Sequence, residues 1–66
     1  MEADTPSIER QIACVKREIA MRERVYPRWV DSGKLKQSVA DDEINVMKAV
    51  LATLQAVKEA KEPKLI

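Results

Sequence analysis

Two runs of side chains, spaced alternately four and three residues apart, flank the only glycine in a chain of 66 residues. The first run is Ile8, Ile12, Val15, Ile19, Arg22, Tyr26 and Trp29, and the second is Ala40, Ile44, Met47, Leu51, Leu54 and Lys58. That rhythm holds side chains on one stripe of an α-helix, whereas a half-buried strand demands strict alternation. No alternating run is present, and the helix-favouring residues Ala, Glu, Lys, Arg and Met are abundant. Pro6 and Ser7 open the first run, Asp31, Ser32 and Gly33 close it, and Pro63 stops the second. Glycine just past a helix end supplies the left-handed residue that ends many helices. The spacing predicts helices over about 7–31 and 37–61, a turn over about 32–36 and a frayed tail over 62–66, all in one domain. A short link makes the two helices antiparallel neighbours. The expected fold is therefore all-α, an antiparallel two-helix hairpin.

Two local features refine this expectation. Ser38, with Asp41 three residues on, reads as the N-cap of the second helix. Asp41, Asp42 and Glu43 would then favour the helix start through its dipole rather than gather as a metal site. Pro27 lies inside the first run, where it removes one backbone hydrogen bond. Because Tyr26, Trp29 and Val30 keep the helical phase, the reading is a kinked helix that continues to Asp31.

Composition excludes much chemistry. With one Cys and no His, the chain has no internal disulfide, no set of zinc ligands and no Ser-His-Asp or Cys-His catalytic group. A single glycine provides no phosphate-cradling loop. No catalytic residue, cofactor or metal is expected, and Cys14 reads as a small packed side chain rather than a nucleophile. No uninterrupted apolar run exceeds four residues, as in Ala49 to Ala52, against the roughly 20 that span a bilayer. The opening MEADTPSIER is polar and unlike a secretory signal. The expectation is a cytoplasmic protein with no membrane partner and no enzymatic activity.

The faces suggest partners. Val39, Val46, Val50 and Val57 flank the second stripe, and Cys14, Met21 and Val25 flank the first. A hairpin hides one stripe per helix, so these rows point to self-association, with two hairpins forming a four-helix bundle. The alternative is a monomer with a half-exposed stripe. Arg22 and Glu43 sit inside the apolar arcs, where they can pair within the chain or across a dimer, or Arg22 can snorkel at the stripe edge. Arg10, Arg17 and Arg24 recur every seven residues, with Arg28 one turn on, and Glu9, Glu18 and Glu23 are expected to neutralise part of this row. Net charge is only +1, yet residues 16–36 hold seven basic and three acidic residues together with Tyr26 and Trp29. Arg, Tyr and Trp are the residue types enriched at binding hot spots, so Arg17, Arg22, Arg24, Tyr26, Arg28 and Trp29 are candidates for contact with a partner. The same row can contact phosphates, which keeps nucleic acid open as the alternative. The bland reading has Tyr26 and Trp29 plug the hairpin end against Val39 and Ala40.

The stretch Lys16 to Val30 (KREIAMRERVYPRWV), followed by Gly33-Lys34-Leu35 and then Asp42-Glu43-Ile44 with Met47, resembles a family of short uncharacterised proteins encoded by tailed phages and bacterial prophages. The shared pattern is similar to REI-x-MR-x-RVYPRWV, a glycine, then EI-x-x-M. The likeness covers about residues 12–51. It implies a phage accessory protein in the bacterial host cell and supplies no activity. Lys36 departs from the pattern, standing where relatives are expected to carry a capping Ser or Thr.

Overall fold

The computed structural model describes residues 5–61. They form α1 (Ile8–Asp31, 24 residues) and α2 (Gln37–Lys61, 25 residues), with no strand among the described residues. The helices pack as an antiparallel hairpin. Glu23 meets Lys48 towards the turn, while Ile12 and Lys58 line a common groove towards the open end. The thinnest dimension of the molecule is 15 Å, little more than one helix with its side chains, about 10–12 Å. The hairpin is a single layer. The expected tail over 62–66 lies outside the described residues.

Each helix end has a local cause. Ser7 is extended, with φ −63° and ψ 159°. Its hydroxyl accepts the Arg10 N–H at 3.1 Å, and Gln11 donates its side-chain amide to the Pro6 carbonyl at 2.9 Å. The serine contact satisfies one of the backbone N–H groups that a helix start leaves without a partner, and the glutamine ties the preceding residue to the first turn. α1 then runs through Pro27 to Asp31. At its end Lys34 N–H donates to the Trp29 carbonyl at 2.8 Å and Gly33 N–H to the Val30 carbonyl at 3.1 Å. Gly33 takes φ +80°, the left-handed conformation this double closure requires.

α2 spans the expected residues, but its cap differs from the sequence expectation. The helix begins at Gln37, and Ala40 N–H donates to the Lys36 carbonyl at 3.0 Å, so Lys36 rather than Ser38 holds the capping position. No acid lies in the first turn. Asp41, Asp42 and Glu43 stand one turn too deep for a dipole effect that fades within that turn. Asp41 instead accepts the Gln37 side-chain amide at 2.9 Å.

The seam is the predicted one. Every α2 residue that is not exposed (Ala40, Ile44, Met47, Leu51, Leu54 and Lys58) belongs to the four–three stripe. On α1, Ile8, Ile12, Val15, Ile19, Arg22 and Tyr26 are covered, and the stripe opens only at Trp29. The most buried side chains are Ile12 (8% exposed), Ile19 (7%) and Ala40 (2%). With so little buried, single core atoms weigh heavily. Ile19→Ala should cost about 2–4 kcal/mol of stability, the range for truncating a buried isoleucine; a urea melt followed by helical circular dichroism checks it.

Candidate functional site

The two long surfaces of the layer differ. At 3.6 residues per turn, Val39, Val46, Val50 and Val57 fall about 80–120° round from the α2 stripe. Cys14, Met21 and Val25 fall about 100–140° round from the α1 stripe, in the same rotational sense. Antiparallel helices are related by a two-fold axis normal to their common plane. Flanks of the same sense therefore lie on the same side of the hairpin. Cys14, Val15, Val50 and Leu54 accordingly line one groove. Among the described residues, Met21, Trp29, Val39, Val46, Val50 and Val57 are the large apolar side chains left exposed, and all belong to this side. Val46 is 51% exposed and Trp29 44%. Val25 is half-covered, whereas Cys14 is exposed, which corrects the expectation of a packed thiol.

The opposite side is polar. Glu9, Lys16, Gln55 and Glu59 line its groove, and Glu23 Oε2 lies 3.4 Å from Lys48 Nζ, joining the helices. Both partners are about half exposed, so the pair adds at most ~1 kcal/mol. Sequence reading missed it. The signal lay in Lys48 and Glu23 standing beside their stripes at matching heights.

Arg22 does not reach Glu43. Its Nη1 donates to Glu18 Oε1 at 2.7 Å and to the Glu18 carbonyl at 3.2 Å, one turn back on its own helix. The hydrogen bond to the Glu18 carboxylate, with a smaller contribution from Tyr26, raises the guanidinium pKa further, so Arg22 stays cationic. Glu43 is left exposed on the apolar side and enters no ion pair among the described residues.

Arg10, Arg17, Arg24 and Arg28 are exposed along the outer edge of α1, and Arg10 and Arg17 also border the groove on the apolar side. No ion pair involves these four among the described residues. Glu18 is committed to Arg22 and Glu23 to Lys48, so neither neutralises the arginine row, contrary to the sequence expectation. Tyr26 and Trp29 face each other with ring centroids 5.7 Å apart, tilted by 37°. Tyr26 is half-buried, but Trp29 and Val39 both remain exposed, so the tryptophan does not plug the hairpin end.

Among the described residues no three His, Cys, Asp or Glu gather as a metal site, and no helix is long and apolar enough to cross a membrane. No protein-family model, curated protein or solved structure matches the chain. If the outer arginines serve no folding role, Arg17→Ala combined with Arg24→Ala should leave the melting temperature unchanged within error, as exposed substitutions without partners do; a thermal melt checks it.

Proposed function

We propose that this chain is a small, non-enzymatic phage or prophage accessory protein of the bacterial cytoplasm that acts by protein–protein contact. Two copies associate through the apolar side, and a host protein is engaged through the arginines and rings at the turn end. The observation that carries the reading is that the exposed large apolar side chains among the described residues gather on one side of a one-layer hairpin. Apolar surface gathered in this way marks an interface. The absence of His and the lone Cys favour binding over catalysis. The phage setting rests on the RVYPRWV resemblance over residues 24–30.

Val50→Glu places a charge in the middle of the apolar side and should convert a self-associated species into monomer, because a buried unpaired charge is strongly unfavourable. Sedimentation at micromolar concentration tests this. A wild type that sediments as a compact monomer, indistinguishable from the variant, would defeat self-association. For the host partner, Arg24→Glu with Arg28→Glu should abolish capture of a nuclease-resistant partner from host lysate while preserving helicity; undiminished capture would move the binding surface elsewhere.

One observation favours a second reading, nucleic-acid binding: Arg10, Arg17, Arg24 and Arg28 are exposed without ion-pair partners among the described residues. Binding of that kind releases counterions, so affinity should fall with salt at a log–log slope of about −0.7 per phosphate contact on single strands. Arg17→Ala with Arg24→Ala should flatten the slope in a fluorescence-anisotropy titration. No binding at low salt would dismiss this reading.

A further inference from the structure

Besides its two broad sides the layer has two narrow edges, and these differ in charge. Within about 60° of the direction opposite the seam, α1 carries Arg10, Arg17, Arg24 and Arg28, with the small Ala13 and Ala20 between them and Met21 at the shoulder. No acid stands on this edge before Asp31, the last residue of the helix. Glu18 and Glu23 are turned away from it, towards Arg22 and Lys48. The corresponding edge of α2 bears one charge, Asp42, among residues such as Asn45, Ala49, Thr53 and Ala56.

Arg10, Arg17 and Arg24 follow one another at about 10.5 Å along the helix, and Arg28 lies about 6 Å further on, about 27 Å in all. That length matches about eight base pairs of a duplex, which presents a phosphate per strand roughly every 3.4 Å. The guanidinium fork pairs well with phosphate oxygens. A carboxylate surface on a protein would be attracted too, but protein interfaces draw their energy from a packed apolar centre. Between these arginines stand only two alanines. Phosphate contact needs no such centre, because release of counterions supplies the affinity.

The rings decide the form of nucleic acid. Proteins that hold single strands pair a basic track with aromatic platforms for the bases. Here Tyr26 and Trp29 stand about 100–160° round the helix from Arg24 and Arg28, and Tyr26 is half-buried. A strand laid along the arginines meets no ring. A duplex keeps its bases stacked on one another and carries about twice the charge per unit length.

From these observations we infer that the arginine edge of α1 is a docking surface for the phosphate backbone of a nucleic-acid duplex, held by Arg10, Arg17, Arg24 and Arg28 without base stacking. The inference rests on the nucleic-acid reading above and adds the form of nucleic acid and the edge that takes it. An acidic protein, which would meet the same arginines, is the competing occupant.

Fluorescence anisotropy tests this with the full chain, a labelled duplex of about 20 base pairs and one of its strands, titrated at several salt concentrations. The duplex should bind at least about fivefold more tightly, with a log–log salt slope of about −3.6 for four contacts at about −0.9 each. Arg17→Ala with Arg24→Ala should halve that slope, and Arg17→Lys with Arg24→Lys should keep it. Trp29→Ala should leave duplex affinity within about twofold, since no base stacks on the ring. A single strand bound as tightly as the duplex, or more so, would overturn the inference and leave nucleic-acid binding standing. Duplex binding whose slope the alanine pair leaves unchanged would overturn the assignment to this edge. Displacement of the duplex by poly-glutamate at matched charge would overturn the inference in favour of an acidic protein. No binding to either form at low salt would overturn both the inference and the reading beneath it.

Discussion

A helix laid against a single neighbour can hide only the stripe that faces it, and everything in this molecule follows from that restriction. With a thickness of 15 Å, no third element among the described residues covers the flanks of the seam. Ile12, Ile19 and Ala40 are the side chains that approach full burial. Ala40 is the most hidden, and its small side chain suits the end where α2 leaves the turn and begins to run along α1. Further along, larger side chains such as Met47, Leu51 and Leu54 are only partly covered. Small chains have little core to spare, so apolar rows left in water beside such a seam are a cost that a second layer would remove.

The two surfaces have different means of holding the helices together. One has a polar tie, Glu23 to Lys48, that tolerates water. The other has valines, Met21 and an exposed tryptophan, which gain nothing from water. A chain whose flanks were equally polar would be a solvated hairpin with no preferred side. The asymmetry gives the layer an inside and an outside before any partner is present.

The stripe was legible because a four–three spacing leaves few alternatives to helix, and because the single glycine falls where α1 needs a left-handed residue. The side-by-side alignment of the two flanking rows was equally available from helical geometry once the helices were antiparallel. Side-chain pairing was much less legible. Arg22 has Glu18 within one turn of its own helix, and that short reach prevails over the distant Glu43. The α2 boundaries agree with the expected 37–61, but the capping residue does not: Ser38 and Asp41 form a plausible cap, yet the turn closes early enough to bring Gln37 into the helix. Trp29 kept the core phase and still lies open, since phase says where a residue points and not whether anything stands opposite. The candidate contact residues were thus identifiable as types and faces, while their partners depended on heights that only the folded register provides.

Gly33 carries one last consequence. Its φ of +80° is a quadrant that left-handed amino acids avoid and their mirror images prefer. The position is exposed, and a methyl group built there meets nothing within 4 Å, so the objection to an ordinary side chain is purely one of handedness. A chain of 66 residues is within reach of chemical synthesis. A D-alanine at this single position would narrow the unfolded ensemble without opposing the native backbone, the entropic route by which restricted residues stabilise proteins. Stereochemistry at one atom would then tune how readily the two helices find each other, with every contact in the seam unchanged.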